Sequence, residues 1–305
     1  MIALQRIGWG TIILFGVSVL TFLLAFVVPS DPAQTVAGPK ADRETLELVR
    51  REMGLDAPMP IQFARYVGRL VRGDLGRSYV TRQNVRDAIL ERVPATLYLA
   101  LVSLTLAVAV GITIGVATAV REGTSIDLGV LVASLVVLSL PVFWVGILLL
   151  DAFAFRLRWL PLGGYGGARF VILPACALAL GNAMYYGRVV HTNMRDVLGQ
   201  DYIRSARAKG VAPWRVCATH ALRNALIPIT TLVGLDFAGL MGGVVLTETV
   251  FNWPGLGRLA VEAVFNLDIP VIMGTVQLSA LIVVVVNTLV DVLYLAIDPR
   301  IRYAR

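Results

Sequence analysis

Charge is what this chain has least of. Only 15% of its 305 residues are charged and 57% are hydrophobic, for a mean hydropathy of +0.76. A soluble domain carries about 25% charge. The deficit comes in long blocks, which excludes a water-soluble core and implies a bilayer as solvent. Lysine is nearly absent: Lys40 and Lys209 are the two among 27 basic residues, and neither lies in a G-x-x-x-x-G-K-[ST] loop. An ATP-hydrolysing motor within the chain is thereby excluded. The two histidines, His191 and His220, have no ligand spacing and no nearby cysteine partner, so no metal site is expected. Cys176 falls in an apolar run and Cys217 in a basic segment; at separate levels of a membrane protein they are not expected to pair.

The apolar blocks are the chain's main feature. Uncharged runs cover residues 7–28, 93–120, 128–150, 170–187 and 269–290, and a sixth, 224–247, is interrupted only by Asp236. About 20 apolar residues suffice to cross a hydrocarbon core of roughly 30 Å. Backbone amides find no water there, so each run is expected to be a helix. The runs are too long and too continuous for barrel strands. The reading is an all-α polytopic membrane protein with six transmembrane helices. The first run exceeds a secretory h-region and is read as an uncleaved span.

Arginine sets the expected orientation. The segment 188–223 carries Arg188, Arg195, Arg204, Arg207, Lys209, Arg215 and Arg223, and the tail adds Arg300, Arg302 and Arg305. The short loops on the other side hold few basic residues. The long segment 29–92 is also rich in arginine, but loops of that length translocate largely regardless of charge. Both termini are therefore expected in the cytoplasm, and the net charge of +7 reflects topology rather than a nucleic-acid surface. Three parts follow: residues 1–28, a short stub with the first span; 29–92, an extracytoplasmic subdomain; and 93–305, a five-helix core. That core includes a cytoplasmic loop at about 191–223 and an outer loop at about 251–270.

Within the extracytoplasmic segment, Asp42 is expected to cap a helix striped by Leu46, Val49 and Met53 and stopped by Gly54. Pro58 and Pro60 separate it from a second stripe of Phe63, Val67, Leu70 and Val71, and Gly73 through Tyr79 reads as an ordered loop. A packing cap and a docking surface are both open readings. In the basic segment, residues 201–210 read as a short alanine-rich helix ended by Gly210, and Pro213 opens another at a first-turn position. Such a helix either transmits force to a soluble partner or rests its arginines on anionic lipid.

A family resemblance bears on that choice. Tyr202 to Gly210, followed by His220-Ala221-Leu222-Arg223-Asn224-Ala225-Leu226-Ile227-Pro228, resembles the cytoplasmic loop of ABC-importer permeases of the dipeptide/oligopeptide (and nickel) branch. So do Glu248-Thr249-Val250-Phe251 with Trp253-Pro254-Gly255-Leu256-Gly257-Arg258 and the terminal Asp298-Pro299-Arg300-Ile301-Arg302. Gly73-Asp74-Leu75-Gly76 and Arg92-Val93-Pro94-Ala95-Thr96 resemble it too, all in the family's order. Where the general importer loop begins Glu-Ala-Ala, this chain has Arg204-Ser205-Ala206. The resemblance implies the type I importer transmembrane architecture and the first, B-type permease subunit. It implies an ATPase-coupling helix formed by Tyr202, Arg204, Ser205, Ala206, Arg207, Ala208, Lys209 and Gly210. It also implies a second homologous permease, two ATP-binding subunits at the cytoplasmic face that carry ATP and Mg, an extracytoplasmic binding protein, and a peptide substrate. No cofactor is expected on this chain and no nucleic-acid partner. Docking outside falls to Phe251, Trp253, Pro254, Gly255 and Gly257 with Asp74 and Gly76.

Asp236 is the ionisable group well inside a span. It either lines the pathway, with Gly239, Gly242 and Gly243, or is a hydrogen-bonded packing group. An ion-coupled carrier is the rival reading, disfavoured by the absence of internal repeats and of further charges at depth. Cysteines placed at Ser78 and Ser205 are expected to label from opposite membrane faces. Labelling of both by an impermeant reagent added outside contradicts the six-span reading.

Overall fold

A computed structural model describes residues 2–27, 32–38 and 41–297. Both chain ends, residues 28–31 and 39–40, and the Asp298–Arg302 motif lie outside the described residues. Among the described residues the regular structure is helical, apart from one isolated bridge between Arg77 and Asn84. Three helices are long and apolar enough to cross a membrane, or up to five if each of two bent pairs is one span. A further shorter apolar helix covers Gly8–Leu24.

Helix α1 (Ile2–Val27) is followed by α2 (Pro32–Ala37), α3 (Arg43–Met53) and α4 (Met59–Val71). Asp42 caps α3 by accepting the Thr45 N–H at 3.0 Å, and Gly54 ends it at φ +67. Both local signals lie in the sequence. Pro60 does not separate the two helices; it sits in the first turn of α4, where its missing N–H costs nothing. Helix α5 (Val85–Val120) starts ahead of its uncharged run and carries Pro94 inside it, so the expected division after residue 92 falls within one continuous helix.

The third apolar run is broken. Helix α6 (Ser125–Ser139) stops at Leu140-Pro141, and α7 (Val142–Leu149) leaves at 102° before widening into a π-turn over Leu150–Arg156. Proline removes a donor and crowds the preceding turn, so the helix breaks at Pro141. Pro174, by contrast, is carried inside α8 (Ala168–Leu198) without interruption. The basic segment holds α9 (Asp201–Ala208), α10 (Pro213–Arg215), a π-turn at Val216–Ala221 and α11 (Leu222–Ala225). The fifth run is shorter as a helix than as a sequence. Helix α12 (Ile227–Met241) ends at the glycine pair, and α13 (Val245–Val250) restarts beyond it. Helices α14 (Leu256–Phe265) and α15 (Ile269–Ile297) complete the chain.

Two compact units result. The first combines residues 1–96, 241–245 and 254–288. Its core joins Val85 and Ile89 of α5 to Leu256 and Ala263 of α14 and Val271 of α15. A polar lock closes it. The buried Asp268 carboxylate accepts from the Ser78 hydroxyl and, at 3.0 Å, from the Tyr79 N–H. Burial pushes the Tyr79 phenol up to about 12, against the pull of nearby Arg69. The second unit combines 97–240, 246–253 and 289–305. In it α5 meets α8 at small residues: a Cβ on Gly115 would lie 2.5 Å from the Val190 Cβ and 2.6 Å from the Gly187 carbonyl. Ser78 is buried, so the exposed Thr81 is the better position for the labelling test.

Asp268→Ala removes an acceptor and strands two donors in a dry site. A loss of about 2–3 kcal/mol is expected, read as faster hydrogen exchange across residues 76–83 with α8 unaffected. Unchanged exchange there contradicts the lock.

Candidate functional site

Helix α9 is short, and its length and setting are both explained by its sequence. Gly210 at φ +75 ends it. The Gly210 N–H donates to the Arg207 carbonyl at 3.0 Å and the Val211 N–H to that of Ala206 at 3.2 Å, the paired bonds of a Schellman stop. Ile203 is fully buried and Ala206, one turn on, is half-buried; Arg204, Ser205, Arg207, Ala208 and Lys209 are exposed. The helix is therefore seated on the bundle by Ile203 and Ala206, and it presents the cations Arg204, Arg207 and Lys209 beside small Ser205 and Ala208. Ala206, one of the residues expected to couple to the ATPase, lies toward the seated side. Tyr202 ties the segment forward, its hydroxyl accepting from the Asn224 amide at 3.0 Å. The Asp201–Arg204 pair at 3.5 Å is solvent-exposed and contributes little.

Beside α9 lies a groove of about 1040 Å³, lined by Glu122, Arg195, Arg207, Trp214 and Cys217 among others. Arg195 approaches Glu122 at 3.5 Å, and the exposed Trp214 ring carries the Arg215 guanidinium 5.1 Å from its centroid. His191 contacts the Thr118 hydroxyl at 3.0 Å and lies 3.6 Å from Asp127.

Asp236 has a partner that sequence reading missed. The hydroxyl of fully buried Tyr186 on α8 donates to its carboxylate, which is half-buried on α12. Gly239 does not mark a close approach, since nothing lies within 4 Å of its Cβ position. Gly243 does, at φ +103 with the Gly257 backbone 2.9 Å from its Cβ position. Gly242 gives its carbonyl to the Ser279 hydroxyl at 3.0 Å.

The outer motif is an inward-facing structure. Phe251 and Trp253 are buried. Phe251 lies against Gly146, and its carbonyl accepts from the Gly164 N–H at 2.9 Å. Trp253 stacks on Tyr98 and meets Tyr165 edge-on at 5.0 Å. In the first unit, the Leu256 N–H just after Pro254 and Gly255 donates to the Thr96 hydroxyl at 2.8 Å. Asp74 bonds the Gly76 N–H at 2.9 Å, and Gly76 turns at φ +81. The Arg92–Thr96 and Trp253–Arg258 motifs thus meet at the Leu256–Thr96 bond. Their aromatic side chains hold the loop rather than offer themselves outside.

Comparison with known proteins supplies a family for this helical arrangement. Residues 111–303 match the family described as binding-protein-dependent transport system inner membrane component, and residues 1–100 match its N-terminal counterpart. The chain belongs to this family of transport-system membrane components. A protein named as a peptide transport system permease of Brucella abortus (strain 2308) is 42% identical over 308 residues, covering 98% of each chain. The glutathione transport system permease protein GsiC of Escherichia coli (strain K12) is 43% identical over 290 residues, 95% of each. A structure of the inward-facing MetNI methionine ABC transporter aligns with TM-score 0.54 at 17% identity, covering 69% of this chain and 96% of that one. It shares the fold of an ABC-importer membrane component.

In this permease Ile203→Ala is expected to cost about 2–5 kcal/mol of local stability, the range for truncating a buried aliphatic side chain. The readout is hydrogen exchange: residues 200–210 lose protection while the centre of α8 keeps it. Equal protection in both proteins contradicts a seat at Ile203.

Proposed function

We propose that this chain is one of two permease subunits of an ATP-driven, binding-protein-dependent importer of dipeptides or oligopeptides in a prokaryotic cytoplasmic membrane. The observation that carries the reading is α9: a short helix stopped at both ends, seated by Ile203 and facing outward with Arg204, Ser205, Arg207, Ala208 and Lys209. Its small residues admit close approach by an ATPase subunit, and its cations suit acids on that surface. ATP and Mg reside on two such subunits, and the chain itself performs no catalysis. Relatives named for peptide and glutathione transport favour a peptide over nickel as cargo.

Six spans with both ends inside fit this role. They comprise α1, α5, the bent pair α6–α7, α8, the pair from α10 to α12, and α15. Asp236, held by Tyr186, stands on the translocation path with Gly239 and Gly242, against a second homologous permease. A binding protein delivers cargo to the outer face, where Gly243 packs on the Gly257 backbone at the start of α14 and Asp74 orders the turn at Gly76. ATP-driven displacement of α9 tilts the spans on either side of it and alternates access.

The test uses bulk on the outward face. A side chain forced into a packed site costs about 1–3 kcal/mol, whereas an exposed ion pair contributes roughly 0–1 kcal/mol. Ala208→Trp is expected to release the ATPase subunits and abolish uptake with normal membrane insertion, and Arg207→Ala to be milder. An Ala208→Trp permease that keeps its ATPases and its uptake leaves α9 as a lipid-facing helix.

A further inference from the structure

The first unit holds a second charged surface that coupling does not use. Helices α3 and α4 enclose an open groove of about 820 Å³, lined by Arg51, Arg65, Arg69 and Arg72 and by no acid. Its floor is made of small residues, Gly54, Ala64 and Gly68 among them. All four arginines are exposed, and among the described residues none of them forms an ion pair. Four like charges on one concave surface repel one another, so an anion in the groove would be bound with little competition from the protein itself.

What surrounds the groove identifies that anion. Helix α4 is fastened along α1: Phe63 meets Phe15 edge-on at 6.0 Å and Phe22 at 5.2 Å, and Tyr66 stacks on Phe22 at 6.0 Å. Phe15 and Phe22 lie in the apolar stretch Gly8–Leu24, so α4 packs along the apolar helix α1. Around the groove α4 also exposes apolar side chains, with Met59 52%, Ile61 46% and Val71 81% accessible. Unpaired arginines and bare aliphatic side chains on one helix, held at the flank of a span, have the make-up of an interfacial helix. An acidic protein surface would answer the arginines and leave Met59 and Val71 in water. A phospholipid answers both.

We propose that the Arg51–Arg65–Arg69–Arg72 groove binds the headgroup phosphate of an anionic phospholipid, with acyl chains running past Ile61 and Val71 beside α1. Guanidinium forks match phosphate oxygens in pairs, and a net negative headgroup adds attraction that a zwitterionic one lacks. The inference does not rest on peptide transport; a carrier of any cargo with this groove would bind the same lipid.

The test takes the full chain with its co-purifying subunits in detergent and titrates phosphatidylglycerol, then phosphatidylcholine, by native mass spectrometry. Arg65→Gln, Arg69→Gln and Arg72→Gln together are compared with Arg43→Gln, Arg77→Gln and Arg86→Gln, which remove equal charge outside the groove. The groove variant is expected to bind phosphatidylglycerol on the order of 100-fold more weakly, about fivefold for each arginine. The control should stay near wild type, and millimolar inorganic phosphate should not compete. A photoactivatable phosphatidylglycerol should label residues 51–72 of the unaltered protein, which needs no variant to fold. Labelling only elsewhere, or equal affinity in both variants, overturns the proposal. Full competition by phosphate reduces the groove to a free-anion site and overturns it too. So does a groove variant that keeps its lipid but loses binding-protein-stimulated ATP hydrolysis, which assigns the groove to a protein partner.

Discussion

Every backbone N–H and C=O placed in hydrocarbon must find a partner inside the protein, because lipid offers none. That requirement turns the long apolar runs into helices, and it makes each interruption of them a built feature. Where α6 ends, the Pro141 carbonyl accepts from the Trp144 and Val145 amides at 3.0 and 3.2 Å. Where α12 ends, the freed Gly242 carbonyl is taken by the Ser279 hydroxyl. The π-turns at Leu150–Arg156 and Val216–Ala221 keep their bonds internal with wider rings. None of the breaks is idle chain.

The breaks lie next to the residues with roles. Stopping α12 at Met241 brings Gly243 against the Gly257 backbone, a contact that a side chain at Gly243 would prevent. The loop before α8 reaches the Phe251 carbonyl and boxes in the aromatic motif. On the other side, α9 hangs between α8 and α11, fixed at Ile203 and at the Tyr202–Asn224 bond. A short helix held at two points moves with both of its neighbours and little on its own, which is what a coupling element requires. The one carboxylate well inside a span is not left bare, since Tyr186 supplies its proton donor.

Much of this was legible from residue order. Blocks of missing charge located the apolar helices, Asp42 and Gly54 marked both ends of α3, and Gly210 the end of α9, because caps and stops are local chemistry. The distant pairings were not legible. Asp268 and Ser78 are 190 positions apart, and nothing in either neighbourhood names the other. Tyr186 looked like one more aromatic in an apolar run. Phe251 and Trp253 were expected to take part in docking outside, whereas Gly146 and Gly163 open space for Phe251 from elsewhere in the chain. Uncharged length also overstated the fifth helix: glycine is as apolar as a span requires, but Gly243 adopts a left-handed backbone that ends one.

The central claim is that this permease moves cargo only by way of ATPase subunits docked beneath it. Purified with its co-purifying subunits and reconstituted into sealed liposomes with a peptide-loaded binding protein, the assembly can be assayed for labelled peptide uptake. One set of vesicles contains ATP and Mg on the ATPase side; the other lacks nucleotide but carries an imposed proton or sodium gradient. Uptake with ATP and none with the gradient is the result this account requires. Uptake driven by the gradient in vesicles free of ATP would contradict it.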